Sequence, residues 1–405
     1  MDQRIGYIDV SHTSHTTSST GIQRVARNMT LSIQKQIRTV SPVTYDPFQD
    51  AWRTLNKKES QCLFPNETFR PGSRRRPRWT TRQRLIGVSQ RPFRSPRTRF
   101  LKGMNAFDFV IFPEIISQEV SSQFQEIVSS KESPGIRIAV FHDAIAWKFP
   151  EWSARKTVKR YPEYMRSLSK LDGIAAVSEA SQRDLIAFWN TIALPDESRP
   201  PVRVVYLGSE ITQGASEPKP LSKIPVILCV ATLEARKNHL GLLSAAAHLW
   251  HQGYDFKLEL IGAQNRETGL EAASAVRRFQ ESGLPVQWHG ATSDSEVEAA
   301  YERADFVAYP SFYEGFGLPV IEALRWGKPV VTTECGSLRE VVQGGGCHLI
   351  ENPSGGAIAA GIRRLLDDSE YFAHLQKEAI GRKHRSWDDH SVEILDFIEE
   401  LRSSR

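Results

Sequence analysis

The sequence predicts an α/β protein made of two doubly wound, Rossmann-like domains, and three observations carry that prediction. At 405 residues the chain exceeds what one hydrophobic core organises, so two domains of about 200 residues each are expected. From Pro225 onward, short β-branched apolar runs alternate with amphipathic stretches, the pattern of a parallel sheet flanked by helices. The first half repeats this alternation less regularly.

In the second half the predicted strands are 226–232, 257–262, 286–290, 306–311 and 329–333. Between them, 238–252, 267–282, 293–304, 318–326 and 338–343 read as helices. The first half offers strands at 5–10, 107–112, 136–141, 173–177 and 202–206, with helices at 22–36 and 181–190. Residues 209–223, which hold Gly214, Pro218 and Pro220, are the linker candidate, so domains of 1–210 and 211–385 are expected. No repeat of solenoid period is present. In open α/β sheets ligands sit beyond the carboxyl ends of the strands, so two such domains facing each other would frame a central cleft. Function is therefore sought in the strand-end loops.

With 40% apolar and 24% charged residues, the composition is that of a globular protein with a sizeable core in each domain. No stretch is long enough to span a bilayer. Residues 1–10 contain Asp2, Arg4 and Asp9 and read as a strand rather than the apolar centre of a signal peptide, so a cytosolic protein is expected. Cys62, Cys229, Cys335 and Cys347 are widely spaced and form no C-x-x-C pair, which favours buried thiols over disulfides or zinc ligands. The net charge of +5 is unevenly distributed. Residues 70–102 hold eleven Arg and one Lys with no acid, leaving the rest of the chain at −7. Four prolines there (Pro71, Pro77, Pro92, Pro96) argue against one long helix, and Trp79, Phe93 and Phe100 interleave with the arginines. A solvated loop is one reading of this segment; attraction to an anionic membrane surface is the sharper one, ahead of nucleic acid.

Three strand-end motifs carry chemistry. In Ser311-Phe-Tyr-Glu-Gly-Phe-Gly-Leu-Pro-Val-Ile-Glu322, Gly315 and Gly317 permit close backbone approach and Pro319 suits a first helical turn. Unpaired amides at such a turn favour an anion, with Glu314 in the loop and Glu322 one turn into the helix. Carboxylates beside phosphates repel unless hydroxyls intervene, and vicinal diols supply them. In Val230-Ala-Thr-Leu-Glu-Ala-Arg-Lys-Asn238, Arg236 and Lys237 stand near a helix N-terminus, where the helix dipole disfavours cations and a diphosphate would relieve the conflict. In Ile138-Ala-Val-Phe-His-Asp143, an apolar strand ends at His142 and Asp143. Each motif alone also admits a structural reading: a dipole-favoured Glu322, an exposed Glu314, a solvated Arg–Lys pair and a hydrogen-bonded core histidine.

Taken together these residues resemble glycosyltransferase family 4, retaining sugar-nucleotide transferases of GT-B fold, most strongly over 226–342. Glu314 and Glu322 match the family's glutamate pair with Gly-Phe-Gly-Leu-Pro between them, and Arg236 and Lys237 match its phosphate-binding pair. Phe141-His-Asp143, Phe149-Pro-Glu151, Ala176-Val-Ser-Glu179 and Tyr206-Leu-Gly208 follow in the family's order. The resemblance implies that Glu314 contacts the transferred sugar and Glu322 the ribose. It likewise gives the backbone of Gly315, Phe316, Gly317 and Leu318 to the sugar and diphosphate, and His142 to the reaction centre. It also implies that 386–405 pack back onto the first domain. Ala231 and Ala235 depart from the Gly and Pro usual in relatives. Thr20-Gly-Ile-Gln-Arg-Val25, with the single Gly21 as a phosphate-contact candidate, looks like a subgroup of bacterial polysaccharide transferases, often mannosyl or rhamnosyl. Gly290, in the strand-end segment 289–292, is a candidate border of the nucleotide base.

The expected reaction is retaining hexosyl transfer, mannose-type by subgroup likeness, in surface polysaccharide assembly. The donor is a nucleoside-diphosphate sugar, GDP-linked for the same reason. The acceptor is a hydroxyl on a saccharide or polyprenyl-linked saccharide. No metal is required in this scheme, and no Asp-x-Asp triplet occurs. The enzyme would work in the cytoplasm, peripherally on the inner face of the membrane. A phosphorylase or sugar-phosphate synthase of the same fold is the first alternative, and a non-enzymatic nucleic-acid binder the second. Deleting 70–102 is expected to weaken binding to anionic liposomes while sparing donor affinity; unchanged sedimentation with liposomes would reject the membrane role.

Overall fold

The computed structural model describes residues 5–16, 20–48, 51–64, 79–90, 109–116, 135–209 and 217–405. The chain divides into two compact units. The first comprises Met1–Asp143, Lys159–Gly208 and Arg385–Arg405, and the second Ala144–Val158 and Ser209–His384.

The first unit is built on a seven-stranded sheet of β1 (Gly6–Asp9), β2 (Val40–Asp46), β3 (Ala51–Thr54), β4 (Phe109–Phe112), β5 (Ile136–Phe141), β6 (Gly173–Ala176) and β7 (Val202–Val204). Its order is β3-β2-β1-β4-β5-β6-β7, and every pairing is parallel except β2 with the edge strand β3. Helix Gly21–Gln36 starts at a capping box between Thr20 and Gln23 and buries Val25, Met29 and Ile33. Helix Trp387–Ser403, near the C-terminus, packs against it, with Ser32 Oγ donating to Asp388 Oδ1 at 2.5 Å.

The second unit holds β8 (Val226–Val230), β9 (Lys257–Ile261), β10 (Val286–Trp288), β11 (Phe306–Tyr309), β12 (Val330–Thr332) and β13 (Cys347–Leu349). All pairings are parallel, in the order β10-β9-β8-β11-β12-β13. Central strands such as Val226-Ile-Leu-Cys-Val230 are near-continuous apolar runs because helices cover both faces of the sheet. The strand order reverses between β8 and β11, so the loops leaving these two neighbours emerge side by side at one edge.

Strands β2, β3 and β13 lie outside the sequence expectation. Pro42 removes a ladder donor from β2, and β13 has three residues, too few for periodicity to register. The expected helix at 338–343 is one α-turn, Leu338–Val341, followed by a 3₁₀ turn, Val342–Gly344. Of the arginine-rich segment, 79–90 are described: Trp79 packs on His15 with ring centroids 4.2 Å apart, and Thr81–Gln90 is helical. Residues 70–78 and 91–102, most of the linker at 210–216, and residues 17–19 ahead of Gly21 lie outside the described residues. Among the described residues, no helix is long and apolar enough to cross a membrane. Phe306, fully buried in the second unit, abuts Phe372 edge-on. Phe306→Ala is expected to destabilise this unit by about 3–5 kcal/mol, read as a lower urea midpoint; an unchanged midpoint would contradict this packing.

Candidate active site

The adjacent loops after β8 and β11 build a compact ionic cluster. After β8 the chain makes a 3₁₀ turn, Ala235–Lys237, and enters helix His239–His251 through Asn238, whose backbone is left-handed at φ 57°. Asn238 Oδ1 caps the helix at the Gly241 amide, and its Nδ2 donates to the carbonyls of Pro310 and Pro353 at 3.2 and 2.7 Å, tying this loop to the next. After β11, Phe312 N donates to the Arg236 carbonyl at 2.8 Å and Ser311 Oγ to the same oxygen at 3.0 Å.

Glu314 is the centre. Its Oε2 accepts from Arg236 Nη1 at 2.6 Å, and its Oε1 accepts from Lys237 Nζ at 2.5 Å and from the Tyr309 hydroxyl at 2.9 Å. Arg236 Nε also pairs with Glu234 at 3.0 Å. Burial alone would raise the Glu314 carboxyl, but Arg236 and Lys237 outweigh it and hold it at about 2. Burial and the neighbouring Arg236 lower the Lys237 ammonium, against the pull of Glu314. The Glu314 backbone is fixed as well, since its carbonyl accepts from Ser337 N and Ser337 Oγ at 3.2 and 3.1 Å. Behind it stands Gly336, at φ 65°, where a Cβ would lie 2.6 Å from the Glu314 carbonyl oxygen.

The remainder of the motif follows directly. Gly315 and Phe316 lead to Gly317, which caps helix Leu318–Arg325 at φ 98°. A Cβ on Gly317 would meet only a terminal methyl of Leu338, at 2.7 Å, so it is the backbone conformation that favours glycine here. Glu322 is buried in that helix, with its Oε2 3.1 Å from the Tyr301 hydroxyl. Gly290 follows the edge strand β10, two strands away from β8, and its carbonyl accepts from Gly262 N at 2.8 Å.

Gly21 and His142 belong to the first unit. Gly21 is the first residue of its helix, behind the Thr20 cap. His142 follows β5, buried, with Nε2 2.7 Å from the Pro113 carbonyl. A carbonyl only accepts, so Nε2 carries the proton and Nδ1 is the acceptor nitrogen. Burial lowers the imidazole, opposed by the Pro113 carbonyl and by Asp143.

Sequence reasoning brought Arg236, Lys237 and Glu314 into view but missed their supports. The diphosphate expected to relieve the two cations has an internal counterpart, because Glu314 and Glu234 already neutralise them. Tyr309 reads as one more apolar strand residue, and nothing in its own segment signals a hydroxyl aimed at Glu314. Residues 144–158 belong to the second unit and reach the same loop: Trp152 stacks on Phe312 with centroids 5.4 Å apart, Phe149 lies 5.1 Å from Tyr313, and Lys148 Nζ donates to the Tyr313 hydroxyl at 3.1 Å.

This loop pair lies within a segment of known kind. Residues 215–382 match the family model of glycosyl transferases, group 1. Among curated relatives, the serotype-specific mannosyltransferase WbdA of Escherichia coli is 25% identical over 393 residues, covering 92% of this chain and 44% of WbdA. The O-antigen chain mannosyltransferase B of Escherichia coli is 28% identical over 273 residues, covering 64% of this chain and 68% of that protein. The chain thus spans less than half the length of the WbdA relative. Of solved structures, sucrose-phosphate synthase from Thermosynechococcus elongatus superposes with a TM-score of 0.69 at 17% identity, over the whole of both chains. Anabaena HepE in complex with UDP and glucose gives 0.63 at 16%, over 98% of this chain and 99% of that one. The fold is GT-B, with two parallel-sheet α/β units and the group 1 segment filling most of the second.

In an unfolded chain the Glu314 carboxyl titrates near 4.5 and in the folded site near 2, so its pairing adds stability that is complete above about pH 4.5 and is lost as pH falls towards 2. The stability difference between wild type and Glu314→Gln is therefore expected to shrink between pH 5 and 3 in urea titrations; a difference independent of pH would contradict the ionic assignment.

Proposed function

We propose that the chain is a retaining glycosyltransferase of family 4. It moves a mannose-type hexose from a GDP-linked donor to a hydroxyl of a saccharide or polyprenyl-linked saccharide in surface polysaccharide assembly. The observation that carries this reading is the convergence of Arg236, Lys237 and Glu314 from neighbouring loops where the sheet order reverses. Two cations beside one carboxylate suit a ligand that presents a diphosphate and sugar hydroxyls together. Support also comes from the group 1 match and from relatives named mannosyltransferases.

In the proposed reaction the diphosphate draws Arg236 and Lys237, which stabilise the charge that develops as the bond from the anomeric carbon to the phosphate oxygen breaks. The acceptor oxygen bonds to the same face of that carbon, and its proton passes to the departing phosphate oxygen, so configuration is retained. Neither glutamate is a covalent nucleophile. Glu314, released from the cations, accepts from sugar hydroxyls, and Glu322 accepts from the ribose. The backbone from Gly315 to Leu318 lies along the sugar and diphosphate, and Gly290 borders the base. His142 acts as a neutral imidazole on the acceptor side, and Gly21 is a phosphate contact. The two side-chain cations supply the charge that a metal ion would otherwise provide, and an anionic membrane surface presents the acceptor.

Lys237→Ala is expected to lower kcat/KM for GDP-mannose by about 10²–10³-fold, the scale for losing one group aimed at developing charge. Near-normal kinetics would remove Lys237 from this role, and nuclear magnetic resonance showing inversion at the anomeric carbon would reject the mechanism.

A further inference from the structure

The Glu314 carboxylate is held by groups of two kinds. Arg236 and Lys237 are cations on a 3₁₀ turn, and an anionic ligand competes for both. The third partner is the Tyr309 phenol, which donates to Oε1 at 2.9 Å while accepting from Lys237 Nζ at 2.5 Å. Ser311 is a second neutral partner whose hydroxyl also helps lower the Glu314 carboxyl, but it shares that hydroxyl with the carbonyls of Arg236 and Tyr313 at 3.0 and 3.3 Å. Tyr309 cannot follow the cations away. It is 1% exposed at the end of β11, in register with Thr332 of β12, and its own carbonyl accepts from Thr332 Oγ1 at 2.8 Å.

We propose that Tyr309 is a positioning residue that keeps the Glu314 carboxylate ionised and in place when an anionic ligand draws Arg236 and Lys237 away from it. The groups facing this cluster are Arg236, Lys237 and Glu234 on the β8 loop, Cys229 on β8 and His239 at the start of the following helix. Neither Cys229 nor His239 replaces the phenol as a donor to Glu314: the Cys229 thiol lies near His239 Nε2, and burial and Lys237 leave the His239 imidazole uncharged. Burial, and then the charge of Glu314, hold the Tyr309 hydroxyl well above its ordinary range, so it stays a phenol able to donate. Without it, a carboxylate deserted by both cations is buried and poorly solvated, and it takes up a proton. The protonated acid has lost an acceptor for ligand hydroxyls.

This inference rests on the functional reading only in requiring an anion at the cations. The test is calorimetric titration of wild type and Tyr309→Phe with GDP, and separately with inorganic pyrophosphate, at pH 6 in two buffers of different ionisation enthalpy. Tyr309→Phe is expected to take up more protons per ligand bound than wild type, by up to about one, and the added Glu314→Gln change is expected to abolish the excess. In turnover with GDP-mannose, kcat is expected to fall about tenfold, the scale for losing a hydrogen bond to a charged group, with KM little changed. Equal proton uptake in the two proteins, or an excess that survives Glu314→Gln, overturns the role of Tyr309. Binding of pyrophosphate but not GDP overturns the nucleotide reading alone, and binding of neither ligand to wild type overturns both.

Discussion

The neutralisation of Glu314 by Arg236 and Lys237 is the interaction around which the loops after β8 and β11 are arranged. Three charged side chains are taken largely out of water here, and a fourth, Glu234, pairs with Arg236 from its other side. Removing charges from water costs several kcal/mol per ion, and mutual attraction repays this only when the geometry is good and the remaining donors are satisfied. A buried ion cluster is thus a weak reason for stability. It is a good reason for binding, because a ligand carrying negative charge and hydroxyls can exchange partners with the cluster without leaving any of its groups unpaired.

The members of the cluster are anchored differently. Glu314 is fixed through its backbone by Ser337 and by the close approach of Gly336, and Tyr309 is fixed as part of the sheet. Arg236 and Lys237 extend from a short turn on long side chains. The loop that carries Glu314 is buttressed on one side by Arg236, whose Nη1 donates to the Tyr313 carbonyl at 3.0 Å, and on the other by the aromatic contacts of Phe149 and Trp152. In the proposed reaction, an acid held by its backbone beside cations on longer side chains would let those cations turn to a bound diphosphate.

Much of this was legible in the sequence. Strands β8 to β12 lie within the runs that alternation marks, because strands buried on both faces must be continuously apolar and helices packed over them must be amphipathic. The Ser311 to Glu322 motif declares its turn through Gly317 and Pro319, whose backbone demands are local. Where the sequence was silent, the cause was also physical. Pro42 disguises β2, the three residues of β13 are too few to show a period, and residues 144–158 join the second unit through aromatic contacts made some 160 residues away along the chain.

By itself, then, the sequence determined the fold class, most of the parallel strands, and the identities of Arg236, Lys237 and Glu314, since each follows from a local pattern of apolar spacing, turn residues and charge. Only the tertiary structure decided that these three side chains meet and that Tyr309 meets them. Arg236 and Glu314 are separated by 78 positions, and their contact follows from β11 lying against β8 rather than against another strand. That choice is made by the packing of the whole sheet, which no short window of sequence contains.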